Sequence, residues 1–183
     1  MTIKEKYQEA RPYINHGDIA LFRGKHLLAK AIQFFDSAYY NHAGVIFKVG
    51  ERLMIIDSNR KGVKPDFLSD RINGYVDFCI LSPIKTEAQI NTAIDKALER
   101  GDKGTKYDFF LLPRIAIIKK LKIDFMGLGS ENRDTCSEFT RFYTNALNLK
   151  CYKDIPLITP QDFIRYRNKE EVSVLFNDSI SIQ

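Results

Sequence analysis

The sequence predicts one α+β domain built on a mostly antiparallel sheet, and three observations carry that expectation. Strand-like and helix-like stretches follow one another without the strict strand–helix–strand alternation of a parallel sheet. Two alternating runs, His42 to Val49 and Arg52 to Ser58, are separated only by Gly50-Glu51, a Gly-first pair that suits a type II′ hairpin turn. The chain of 183 residues is long enough to bury roughly 70% of its unfolded surface, yet short for two full domains. The domain is expected over residues 15–178, with 1–14 as an N-terminal extension.

Taken in order, Asp18 to Phe22 reads as a short strand after the turn at His16-Gly17. Residues 26–35 switch to helical spacing, with Leu27, Leu28, Ala31, Ile32 and Phe35 on one stripe. The hairpin follows, then a polar loop from Asn59 to Gly62, then a strand from Tyr75 to Leu81 that Pro83 ends. Thr86 to Gln89 has capping-box spacing, and Ile90, Ala93, Ile94, Ala97 and Leu98 recur on one helical face. Gly101 is expected to close that helix. The apolar and basic stretch 107–123 fits either state, with helix favoured after Pro113. A helix opens near Thr135-Cys136 and runs to about Leu147, its apolar face made of Phe139, Phe142, Tyr143 and Ala146. Thr159 to Asp162 starts a last short helix, and Val172 to Phe176 reads as a final strand.

Composition narrows the function classes. Hydrophobic residues at 44% and charged residues at 28% exclude collagen-like, coiled-coil and disordered chains. A net charge of +5 is a mild excess, far from the dense basic stripe of a dedicated nucleic-acid binder, so no nucleic-acid partner is expected. Cys79, Cys136 and Cys151 are too scattered for a disulfide framework or a zinc set, and no metal site is expected. The charged N-terminus lacks the apolar core of a secretory signal, so the chain as it stands is expected in the cytoplasm; a leader removed from a longer precursor would place it in the cell envelope.

Phosphate-loop, G-x-S-x-G and H-E-x-x-H signatures are absent, and Gly101-Asp102-Lys103-Gly104-Thr105 reads as a solvated turn. Cys136 stands apart because it falls at a predicted helix start, where free N–H groups and the helix dipole lower a thiol pKa. Cys79, inside an apolar strand, and Cys151, in a loop, read as small packing residues. The hairpin supplies a second group. With Gly50-Glu51 as a two-residue loop, Val49 faces Arg52 and Gly44 lies opposite Asp57. Parity then puts His42, Gly44, Ile46 and Lys48 on one face with Leu53, Ile55 and Asp57, and Ala43, Val45 and Phe47 on the other with Met54 and Ile56. His42 and Asp57 become diagonal neighbours, roughly 7–8 Å apart by backbone, with Gly44 leaving the space between them open. A loop one residue different would bring Ser58 there instead.

Gly17-Asp18-Ile19-Ala20-Leu21-Phe22, then Tyr40-Asn41-His42-Ala43-Gly44-Val45-Ile46, then Tyr107-Asp108-Phe109, and finally Cys136-Ser137-Glu138-Phe139 together resemble the YiiX-like family. Its members are circularly permuted relatives of the NlpC-type papain-fold cysteine hydrolases. The resemblance covers about residues 16–165, and the order is informative because histidine precedes cysteine only in the permuted branch. It implies a permuted papain-like fold, a Cys136 nucleophile, a His42 base, and a third, orienting residue on the strand after the histidine. That position falls on Asp57, with Asn59 on the same face as the alternative. The implied chemistry is acyl transfer through a Cys136 thioester without metal or cofactor, as an amidase or peptidase on a small peptide-like substrate of cell-wall type. Lipid amides or esters, as in the lecithin retinol acyltransferase branch of the same clan, are the competing substrate class. A non-catalytic ligand-binding module is the competing function class. Tyr40 and Tyr107 are candidate substrate-binding walls, or else packing residues. The segment 109–123 sets an apolar cluster beside Arg114, Lys119, Lys120 and Lys122; it reads as a core helix with a solvated basic side, or as a peripheral membrane contact.

Overall fold

The computed structural model describes residues 1–24, 38–107, 133–155 and 157–177. Their centre is a six-stranded antiparallel sheet of β1 (Ile19–Gly24), β2 (His42–Val49), β3 (Arg52–Asn59), β4 (Gly62–Phe67), β5 (Tyr75–Pro83) and β8 (Val172–Asn177), in the order β4-β3-β2-β1-β5-β8. Two short strands, β6 (Lys106–Tyr107) and β7 (Arg133–Asp134), form a separate parallel ladder. The helices are α1 (Ile3–Ala10), α2 (Leu68–Ile72), α3 (Glu87–Asp102), α4 (Cys136–Ala146) and α5 (Asp162–Arg165).

The hairpin has the expected register, from Val49↔Arg52 to Val45↔Ile56. Gly50 takes φ +57° while Glu51 stays out of the left-handed region, which fits the type II′ turn. Side chains alternate cleanly between two cores, because successive residues of a strand point to opposite faces. Leu21, Ala43, Val45, Ile56, Cys79 and Leu81 pack under α3 and α4, with Ala93, Ile94, Ala97, Phe139 and Tyr143 opposite them. Phe22, Ile46, Leu53, Ile55, Phe78 and Ile80 face the other way, covered by Tyr7 and Ala10 of α1 and by Leu68 and Ile72 of α2. The sheet is thus buried on both faces, and residues 1–14 lend Tyr7, Ala10 and Ile14 to the second core.

Several elements differ from expectation for identifiable reasons. The chain after Asn59 does not remain a loop: β4 pairs with β3 from Asn59↔Gly62 to Met54↔Phe67. Its Pro65 is compatible with a strand because β4 lies at the sheet edge, where an N–H donor is dispensable. The five residues of α2 are too few to show a helical period. Gly101 does not close α3; the helix runs to Asp102, with Lys103 as C-cap and Gly104 beyond it at φ +69°. Gly101 instead lets the helix approach the sheet, since a Cβ there would sit 3.4 Å from both Ile56 Cδ1 and the Val63 carbonyl. The helix expected over 26–35 and the segment 109–123 lie outside the described residues.

Candidate active site

His42 opens β2, where its cross-strand partner on β1 is Phe22. The imidazole stacks on Tyr75, centroids 5.6 Å apart at 17°, and lies tilted against Phe22 at 6.1 Å and 35°. Tyr75 reaches this place because the β1–β5 register shifts between Arg23 and Gly24, which pairs Tyr75 with Gly24 and leaves its ring stacked 4.6 Å from Phe22.

Across the hairpin, Asp57 is fully buried and every partner it has is a donor or a cation. Its Oδ2 lies 2.6 Å from His42 Nε2, and its Oδ1 accepts from Asn59 Nδ2 at 2.9 Å and from Arg71 Nη2 at 3.0 Å. Gly44 makes the pair feasible: a Cβ there would stand 2.8 Å from Ile55 Cδ1 and 3.0 Å from the Asp57 Cβ. Burial alone would raise the Asp57 carboxyl, but the charge and hydrogen bond of His42, the Arg71 guanidinium and Asn59 outweigh it and hold the group below the ordinary carboxylate value.

Cys136 is the first residue of α4 and is 4% exposed. A capping box sets the helix start: Thr135 Oγ1 accepts from the Glu138 N–H at 3.2 Å, and Glu138 Oε2 accepts from the Thr135 N–H at 2.9 Å. The β2–β3 ladder ends at Val45↔Ile56 although both strands continue, and the Ala43 backbone N–H beyond that point serves the Cys136 sulfur. Burial pushes the thiol up, but the His42 charge and hydrogen bond, Ala43 and the Ser137 side chain reverse this, and its pKa falls below the ordinary thiol value. Burial likewise disfavours the charged imidazole, yet Tyr75, Cys136 and Asp57 carry His42 well above its ordinary value. The arrangement favours a thiolate–imidazolium pair, with His42 Nε2 committed to Asp57 and Nδ1 left for the sulfur.

The other thiols are shifted the opposite way. Burial drives Cys79 up to about 12, and it also raises Cys151. Tyr40, expected along the substrate pocket, is not brought to this site: it is fully buried in the core under α3 and α4, edge-on to Tyr39 at 5.0 Å and hydrogen-bonded to Cys79. The backbone of Tyr107 pairs with Asp134 in the β6–β7 ladder; its side chain lies outside the described residues. Asn59 contributes by bracing Asp57. Two members of the site carried no sequence signal. Arg71 sits on the short α2, and Tyr75 is placed against His42 by a bulge that periodicity does not reveal.

Neither a protein-family model nor a curated protein sequence matches the chain. Among solved structures, the chain is similar to one described as the metalloprotein YiiX from Escherichia coli O157:H7, with a TM-score of 0.60 over 87% of this chain and 95% of that one. The sequences are 18% identical across the match, so what the two proteins share is the fold: a mixed α+β architecture around an antiparallel sheet.

Proposed function

We propose that the chain is a cysteine-dependent hydrolase or acyltransferase with Cys136 as nucleophile, His42 as base and Asp57 as the residue that orients the imidazole. The observation that carries this reading is the His42–Asp57 contact of 2.6 Å beside a helix-start thiol whose pKa is lowered. The ordering of these groups along the chain and the likeness to YiiX support a permuted papain-like fold as the scaffold.

The Cys136 thiolate attacks the carbonyl carbon of an amide or ester, and the carbonyl oxygen takes the electron pair. Free N–H groups in the first turn of α4 would stabilise such an oxyanion; the Glu138 N–H is already taken by the Thr135 cap. The C–N or C–O bond then breaks, and the leaving amine or alcohol takes the proton from His42. A thioester remains on Cys136. Water, or an acceptor amine, gives a proton to His42 and attacks the thioester, releasing the acid or the new amide and restoring the thiol. A small peptide-like amide of cell-wall type is the substrate class proposed first.

The neighbour is described as a metalloprotein. His42 Nε2 and Asp57 Oδ2 are bound to one another, and the remaining Asp57 oxygen is held by Asn59 and the cationic Arg71. Among the described residues no group of three or more His, Cys, Asp or Glu is arranged to hold a metal ion. The residues as placed do not fit a metal.

Labelling with a carbonyl-directed cysteine probe followed by peptide mapping tests the proposal. The adduct is expected on Cys136 in the wild type and strongly reduced in His42→Ala. Faster labelling of Cys79 or Cys151 at neutral pH overturns it. Cleavage of cell-wall peptides by the wild type but not by Cys136→Ala establishes the substrate class; salt-sensitive binding to anionic vesicles without such cleavage replaces it with lipid chemistry.

A further inference from the structure

Besides its ladder with β6, the segment that leads into Cys136 is held through the side chain and carbonyl of one residue. Asp134 has a side chain 4% exposed, and Arg100, near the C-terminal end of α3, grips both of its oxygens: Nε donates to Oδ2 at 2.5 Å and Nη2 to Oδ1 at 2.7 Å. The same guanidinium lies 4.7 Å from the ring centre of Phe142 on α4. The backbone carbonyl of Asp134 accepts from Ser58 Oγ at 2.6 Å, and Ser58 is fully buried. Asp57 and Ser58 are consecutive on β3 and therefore point to opposite faces of the sheet. One of them holds the imidazole; the other holds the strand that delivers the thiol.

We infer that Ser58, Asp134 and Arg100 are positioning residues that set the separation between the Cys136 sulfur and the His42 ring, an inference that rests on the acyl-transfer reading above. A two-point arginine–carboxylate contact fixes direction as well as distance, which a single ion pair does not. The Ser58 hydrogen bond adds a third anchor on the backbone itself. With β7 paired to β6 and held at three further points between α3 and β3, the helix start two residues later is fixed against the sheet. Ser58 belongs to the strand that carries Asp57, so nucleophile and base are referenced to the same piece of backbone.

The experiment is iodoacetamide alkylation of Cys136 across pH in the full chain, mapped by mass spectrometry, with thermal unfolding followed in parallel. Ser58→Ala changes no charge, so a shift in the thiol titration reports displacement of the sulfur from the imidazole rather than a lost field. Ser58→Ala and Arg100→Gln are each expected to raise the apparent pKa of Cys136 by about one unit, toward the free-thiol value of about 8.5, and to slow alkylation at low pH about tenfold. Arg100→Lys, which keeps the charge but not the fork, falls between wild type and Arg100→Gln. The double variant shifts less than the two singles together, because both act through Asp134. Folded variants that titrate like the wild type overturn the inference even if their Tm falls, since that is the signature of a merely stabilising clasp. If Arg100→Gln does not fold, Ser58→Ala decides alone. A wild-type Cys136 that titrates as an ordinary thiol removes the acyl-transfer reading and the positioning role with it; a low wild-type value with unshifted variants removes only the latter.

Discussion

His42 meets Asp57 across 15 residues of chain within one hairpin, whereas the approach to Cys136 is tied to Arg100 across 34 residues and to Ser58 across 76. The base half of the site is therefore a product of local register: once the two-residue turn closes, parity and pairing deliver the carboxylate to the imidazole. The nucleophile half exists only when α3, α4 and the sheet are docked together. Both halves use an arginine–aspartate ion pair, Arg71 with Asp57 and Arg100 with Asp134; they differ in that Tyr75 stacks on His42, whereas Ser58 anchors the backbone ahead of Cys136. A site built this way separates its chemistry from its assembly, and substitutions are expected to hit one without the other.

The largest expected effect comes from removing the base. His42→Ala should slow acylation of Cys136 by ~10²–10⁴-fold while the domain stays folded. His16→Ala should leave the rate nearly unchanged, because His16 serves the turn by accepting from the Lys48 N–H at 3.0 Å. Equal losses in a stopped-flow acylation assay would dissolve the distinction between the two histidines. Asp57→Asn comes next: it keeps the shape but leaves Arg71 and His42 facing a neutral group, so the rate loss should be smaller than for His42→Ala. Its cost in stability should be about 1.5–3 kcal/mol by urea unfolding, since Arg71 loses its buried carboxylate and keeps, among the described residues, only Asp66, at 3.6 Å.

Gly44→Ala probes the hairpin directly. The added Cβ crowds Ile55 and Asp57, and a loss of about 1–3 kcal/mol together with slower acylation is expected. Thr86→Ala is the matching control away from the site. It removes the α3 cap for about 1 kcal/mol and should not alter the acylation rate; a rate change would show that α3 transmits strain to Cys136. The smallest effect is in the acid limb of stability. Asp57 is held below its ordinary pKa in the fold, so its contribution is present above the unfolded value near 4 and is lost as pH falls through the folded value. Asp57→Asn should flatten that limb in urea titrations, and an unchanged limb would place the acid sensitivity elsewhere.

How far the sequence could be read follows the same division. The β2–β3 hairpin, its faces and the His42–Asp57 meeting were legible because a period of two and a two-residue turn leave little freedom. The helices beginning after Thr86 and Thr135 were legible because caps and apolar spacing mark them locally. The β4–α2 region was not: Lys64-Pro65-Asp66 resembles a loop until an edge position makes it a strand, and five residues of helix carry no period. For Tyr40 the sequence leaves pocket wall and packing residue open, because an aromatic beside a motif looks the same in either place; the structure buries it in the core.

By itself, then, the sequence determined what depends on neighbours within a turn or a hairpin: the α+β class, the hairpin register, the candidate base with its carboxylate, and the one cysteine at a helix start. Only the tertiary structure decided that Arg71 and Asn59 brace Asp57, that Tyr75 stacks on His42, and that Arg100 and Ser58 hold the approach to Cys136. The physical reason is one of range. Periodicity and capping report forces that act between residues a few positions apart, while a buried ion pair or a stacked ring forms only after distant segments have been brought into contact by burial of the two cores.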